Sequence, residues 1–212
     1  MKKTLGPVQH TVILVVFIVA AILSSLFIFH LRHQQKPILA TNDITLFNAA
    51  RSIKDFDLIE ANGEAFKHKN LRGHWTLMLF GFTHCSDVCP ASLDMLARAY
   101  KELKPRYPTL QVVLVSLDPT RDTNKHLLAY TKQFHPDFIG TTGSIEALRK
   151  LQSQLGIYAA KEQGANGDYQ IQHTSSILLL NPKGEWAGAI RYGLTPTQFV
   201  STFHTSIKAI TG

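Results

Sequence analysis

Thr76-Leu77-Met78-Leu79-Phe80-Gly81-Phe82-Thr83-His84-Cys85-Ser86-Asp87-Val88-Cys89-Pro90 is the stretch of this 212-residue chain on which its fold and its chemistry turn. Thr76 to Phe82 is an apolar run of β character, and Pro90 reads as a helix start. Between them lie Cys85 and Cys89, the chain's 2 cysteines. The thiols therefore sit where a strand gives way to a helix. The positive end of a helix dipole favours thiolate, which is both the nucleophile and the metal ligand. A structural disulfide here would close a loop of about five residues, worth roughly 2 kcal/mol before strain. That is a small gain for a chain long enough to build its own core, so a working redox or metal-binding pair is the stronger reading.

Working outward, Phe56–Ile59 and Ala65-Phe66 flank the turn signal Asn62-Gly63 and predict a small hairpin. Downstream of the thiols, Leu93, Leu96, Tyr100 and Leu103 have helical spacing, and Pro105 and Pro108 end that helix. Leu110–Leu117 reads as a strand, Lys125–Phe134 as a helix and Phe138-Ile139 as a short strand. A helix then follows a Ser144 cap through Ala147, Leu148, Leu151 and Leu155. Ser175–Leu180 and Trp186–Arg191 are strands joined across Asn181-Pro182-Lys183-Gly184, and a last helix starts after Thr195-Pro196. Strands alternating with helices and closing on a hairpin and a helix give an α/β sandwich. The thioredoxin-like fold, here with an N-terminal hairpin extension, is the simplest of that order with thiols at the first strand–helix junction.

The N-terminal part is of another kind. Thr11–Phe29 carries no charge, and at 1.5 Å per residue it approaches the ~30 Å hydrocarbon core, so one transmembrane helix is expected. Leu26-Phe27-Ile28-Phe29-His30 follows in place of a small-residue cleavage site, which argues for an uncleaved anchor. The expected organisation is a cytoplasmic leader (1–10), the anchor (11–29), a polar tether (30–43) and one domain (44–212). Lys2 and Lys3 precede the span, and Arg32 and Lys36 follow it, a slight bias to an inside N-terminus. A single-pass protein of a bacterial inner membrane with its domain in the periplasm fits best. The net charge of +7 owes four of its positive groups to the first 40 residues, which hold no acid. The rest is mildly basic without an Arg/Lys run, so no nucleic-acid footprint is present.

Two thiolates suit a soft ion but leave it under-coordinated, so a third ligand is sought among 10 histidines. His10, His30 and His33 flank the anchor. His68, His74, His126, His135 and His204 have no special partner in view. His84 adjoins Cys85, yet neighbours in an extended segment point apart. His173 precedes the strand Ser175–Leu180, which returns beside the thiols in a thioredoxin-type fold. Asp118, at the end of Leu110–Leu117, is either an outer carboxylate that orients a ligand or, the slightly favoured reading, a turn-and-cap residue with Asp122.

Gly81-Phe82-Thr83-His84-Cys85-Ser86-Asp87-Val88-Cys89-Pro90 resembles the signature of the Sco/SenC proteins, copper-site assembly factors for cytochrome c oxidase. Ser116-Leu117-Asp118-Pro119-Thr120-Arg121-Asp122 is similar to that family's second motif. His173 with Ser175–Leu180 and Asn181-Pro182-Lys183-Gly184 is similar to its third. The resemblance implies that Cys85, Cys89 and His173 bind one copper ion, Cu(I) or Cu(II), and that copper passes to the binuclear site of oxidase subunit II. Other copper chaperones or thiol reductases are further implied partners. Ser86 stands where the family usually has Pro, and Gln172 where Asp is common.

Two other readings compete. In one, Cys85 and Cys89 are the redox pair of a thiol–disulfide oxidoreductase, which needs no histidine ligand; a peroxidase is a minor variant. In the other, the disulfide is inert and the domain structural.

Overall fold

The computed structural model describes residues 7–33, 39–164 and 168–212, with side chains for 13–27, 41–164 and 168–212. The chain forms two compact units, Met1–Lys36 and Pro37–Gly212. The first holds α1 (Pro7–His33), in which Leu14, Val16, Phe17, Leu23 and Phe27 are all exposed. Over the described residues no helix is long and apolar enough to cross a membrane. Thr11, Val12, Ile28 and Phe29 of the expected anchor lie outside the described side chains. α1 also runs on to His33, into the stretch read as tether, and Gln34 to Ile38 of that tether lie outside the described residues.

In the second unit β1 (Leu39–Ala40) and β2 (Ile44–Arg51) precede the hairpin β3 (Asp57–Glu60) and β4 (Ala65–Lys67). There follow β5 (Thr76–Gly81), α2 (Val88–Leu103), β6 (Gln111–Ser116), α3 (Asn124–Phe134), β7 (Ile139–Thr142) and α4 (Ile145–Leu155). A ribbon of β8 (Ala159–Gln163) and β9 (Tyr169–His173) leads to β10 (Ile177–Leu180), β11 (Trp186–Ile190) and α5 (Pro196–Thr211). The main sheet runs β1-β2-β11-β10-β5-β6-β7-β3-β4, and β8-β9 form a separate pair. β5, β6 and β7 are parallel, whereas β10 runs antiparallel to β5 and β11 antiparallel to β10. The order β11-β10-β5-β6 with α2 crossing between β5 and β6 is the expected thioredoxin-like arrangement.

β5 and β6 are buried at every position, as strands covered on both faces must be. Alternation deals their side chains to two cores. Leu77, Leu79, Val112 and Leu114 meet Leu93, Leu96, Phe199 and Phe203 of α2 and α5. Met78, Phe80, Val113 and Val115 meet Leu148, Leu151 and Leu155 of α4. The local signals at helix ends hold: Ser144 caps α4, which ends on a left-handed Gly156, and Thr195 caps α5 in a box with Gln198.

Three elements differ from expectation. β1 lies inside the stretch 30–43 read as a polar tether, where it pairs with β2. β2 was not anticipated, because its buried alternation of Ile44 and Leu46 gives way at once to largely exposed Asn48, Ala49 and Ala50. The β8-β9 ribbon is mostly solvent-facing and polar, so it carries no apolar period.

Candidate metal centre

Because β5 and β6 run parallel, the loops leaving them emerge side by side at one edge of the sheet, where open α/β folds present their ligands. Phe82 to Asp87 follows β5, and Leu117 to Thr123 follows β6. The β8-β9 ribbon delivers His173 to the same place. One ligand atom each of Cys85, Cys89 and His173 lie within 4.8 Å of one another.

Cys85 is half-buried in the loop, and Cys89 is buried in the first turn of α2. That helix begins at Val88, two residues before the expected start at Pro90. A proline is free of cost there, since first-turn amides have no intrahelical acceptor. Asp87 provides no side-chain cap. Instead the Cys89 amide donates to Cys85 Sγ at 3.4 Å. The sulfurs thus converge because one caps the helix that carries the other, not because they share a helical face. Gly81 makes room behind them: a Cβ there would lie 2.7 Å from Cys89 Sγ.

His173 Nε2 stands 3.4 Å from Cys89 Sγ, with its ring edge-on to Phe82 at 6.0 Å. Nδ1 lies 3.0 Å from the Thr174 carbonyl. A carbonyl only accepts, so Nδ1 carries the proton and Nε2 faces the thiols. Both sulfurs are electrostatically distinct. Hydrogen bonding from the Cys89 thiol brings Cys85 down to about 3, with His173 and the Cys89 and Asp87 amides adding to this against the cost of burial. Donating to Cys85, and then burial, push Cys89 up. Burial disfavours imidazolium at His173, but its bonds to Cys85 and Thr174 more than offset that, and its pKa is raised. The buried Tyr130 hydroxyl of α3 has no hydrogen-bond partner; burial and the charges of Cys89, Cys85 and Asp122 raise its pKa.

Asp118 does not touch a ligand histidine. Fully buried, it accepts from Tyr169 Oη at 2.7 Å and from Arg121 Nε. Arg121 lies 3.6 Å over the Tyr169 ring and donates to Asp168 at 2.9 Å. The role is therefore larger than a turn cap: this cluster ties down the strand that ends in His173. Asp122, read from sequence only as a helix-entry residue, is the anchor of the cysteine loop. It accepts from Thr83 N at 3.0 Å, Thr83 Oγ1 at 2.6 Å and Ser116 Oγ at 2.5 Å, while the cap of α3 is Thr123. The signal available was an acidic residue just past a buried strand, which sequence alone does not separate from a cap. Ser86 is exposed. Gln172 donates to Glu162 at 2.8 Å and, as the neighbour of His173 in β9, points to the opposite face of the ribbon.

The SCO1/SenC family model matches residues 46–208. A mouse protein, SCO2 homolog, mitochondrial, is 34% identical over 167 residues, 77% of this chain and 66% of its own length; the chain thus spans about two thirds of that relative. The solved structure of Arabidopsis thaliana ScoI with copper bound is 32% identical and covers 73% of this chain and 97% of its own, with a TM-score of 0.69. That of yeast Sco1 with copper bound is 28% identical, covers 74% and 89%, and has a TM-score of 0.68. With the matched span running from β2 to the last turns of α5 and holding all three converging side chains, this chain belongs to the SCO1/SenC family.

Proposed function

We propose that this chain is a membrane-anchored copper chaperone. It holds one copper ion, as Cu(I) or Cu(II), through Cys85, Cys89 and His173, and delivers it to the binuclear copper site of cytochrome c oxidase subunit II. The observation that carries this is the convergence of two sulfurs and a histidine nitrogen whose other ring nitrogen is tied to Thr174. Two thiolates select a soft ion and the imidazole completes a three-coordinate set. The copper-bound structures of the Arabidopsis and yeast relatives support copper as the cargo. The apolar, exposed face of α1 all round its described length supports a helix held in lipid, with the domain on the periplasmic side of a bacterial inner membrane. Copper chaperones and thiol reductases that load or reset the site are the further partners of this reading.

Anaerobic Cu(I) titration of the reduced protein against a competing chelator tests it. One copper per chain, held at least tenfold more weakly after His173→Ala, is the expected result. Equal binding by both proteins refutes the three-ligand site.

The asymmetry of the thiols favours a second role. Half-buried Cys85, held as thiolate, is placed to attack a partner's disulfide and form a mixed disulfide. Cys89 then attacks Cys85 Sγ, leaving a Cys85–Cys89 disulfide and the partner's two thiols, and an external thiol reductant resets the pair. Partner reduction that survives His173→Ala but is lost in Cys85→Ala identifies this role.

A further inference from the structure

We propose that His84, Asp122 and His126 form a second metal site, for a borderline divalent cation of the Zn(II) class, beside the cysteine loop. One ligand atom from each lies within 4.8 Å of the others. They come from three places: the loop before Cys85, the turn after β6 and the first turn of α3. None is shared with Cys85, Cys89 and His173.

The carboxylate is the fixed member. Asp122 is buried, and Thr83 N and Ser116 Oγ occupy its Oδ2. Oδ1 accepts only from Thr83 Oγ1, which leaves it an acceptor site. His84 Nδ1 lies 3.6 Å from that atom. Two ligands bound tetrahedrally to Zn(II) at their usual distances stand about 3.3 Å apart, so this pair needs little movement. The imidazoles are the adjustable members. Both are exposed, and their rings meet edge to face at 5.4 Å, so they can close on an ion without disturbing the core.

Charge points the same way. Among the described residues His84 is the one basic group within 4.0 Å of the Asp122 carboxylate, and it is cationic only when protonated. Arg121, next in the chain, is spent on Asp118 and Asp168. A buried carboxylate without a permanent counter-ion is stabilised by a cation. The donor type then sorts the two sites. Two imidazoles and a carboxylate with an open fourth position suit Zn(II) or Cu(II), whereas two thiolates and an imidazole suit Cu(I). Since His84 adjoins Cys85, an ion in the outer site would also fix the loop that carries the first thiol.

The test uses the full chain with Cys85→Ser and Cys89→Ser, which removes the thiolate site and leaves the outer one intact. Zn(II) is titrated into this protein, with and without His126→Ala, against a chromophoric chelator. His126 is exposed on α3, so its loss leaves the fold in place, and matching thermal melts of the metal-free proteins check this. One Zn(II) per chain in the parent, weakened about tenfold or more by His126→Ala, is expected. No uptake by the parent, or a smaller loss, overturns the proposal. Cu(I) binding by the three-ligand site does not enter either outcome.

Discussion

Gly81→Ala should damage the metal centre more than its size suggests. The backbone there is ordinary extended strand, so alanine is conformationally acceptable. Space is the difficulty. The new Cβ would lie 2.7 Å from Cys89 Sγ, 3.4 Å from Leu114 Cδ1 and 3.6 Å from Cys89 Cβ, against a comfortable separation of about 3.5–4.0 Å for nonbonded heavy atoms. The sulfur must therefore retreat by roughly 1 Å, by rotating or by moving with the first turn of α2. Either motion breaks its 3.4 Å approach to His173 Nε2. Overpacking of this kind costs about 1–3 kcal/mol of stability. Ligand geometry has to hold within about 0.5 Å, so Cu(I) affinity should also fall by about 10–100-fold, a loss of about 1.4–2.7 kcal/mol. Gly140→Ala is the control. Its Cβ would lie 2.8 Å from Leu127 Cγ and 3.1 Å from Thr131 Cγ2, an equal insult with no sulfur in it. Urea denaturation and chelator-competition titration of both variants separate the effects. If Gly81→Ala is as destabilised as Gly140→Ala yet binds Cu(I) within twofold of the wild type, the Cys89 geometry argued here is wrong.

Asp122→Asn replaces a charged acceptor of three hydrogen bonds with an amide and should cost about 1.5–3 kcal/mol in urea denaturation, with faster hydrogen exchange at the Thr83 amide. Tyr169→Phe leaves Asp118 Oδ1 without its donor and should cost about 1–2 kcal/mol, with loss of exchange protection along β9. Burial raises the Asp118 pKa, but Tyr169 and Arg121 more than offset this and the net shift is downward. Its stabilising contribution is therefore complete above the ordinary carboxylate value, about 3.9, and is lost as pH falls through the lower folded value. Acid unfolding of Tyr169→Phe should accordingly be less steep in that range than that of the wild type. Iodoacetamide under native, reducing conditions should alkylate Cys85 well before Cys89, as peptide mapping by mass spectrometry reads; equal rates would contradict the thiol asymmetry.

What could be read from the sequence follows from where each signal originates. β5, β6 and the helices around them announce themselves because burial on both sheet faces demands continuous apolar runs, and the caps Ser144 and Thr195 act through bonds only three residues long. The cysteine pair was legible for the same reason, being local. His173 was not singled out by its own surroundings. It lies 84 residues from Cys89, on a ribbon too polar and exposed to carry a period; the expected return of Ser175–Leu180 beside the thiols made it a candidate, and similarity to a family motif made it a ligand. Asp118 and Asp122 fall between these cases. Both sit where a turn wants an acid, and only the packed structure separates a cap from a buried acceptor that holds a loop or a strand in place.

The two roles proposed for the thiols draw on one geometry and exclude each other at any instant. A Cys85–Cys89 disulfide consumes both sulfurs that copper requires, and bound copper masks the thiolate that a disulfide exchange requires. What differs is the part played by His173: it is a ligand in one cycle and, in the other, only a neighbour that helps keep Cys85 ionised. Its anchoring through Thr174 argues which cycle shaped the site. Stabilising a thiolate needs a nearby positive charge in no fixed orientation, whereas a metal ligand must present a particular nitrogen along a particular line. The Nδ1 bond to the Thr174 carbonyl, the edge-on Phe82 and the Asp118–Arg121–Tyr169 cluster behind β9 all restrict orientation, and of these only the Thr174 bond also favours the imidazolium. That investment in direction is what a copper site uses and what a redox pair alone leaves without purpose.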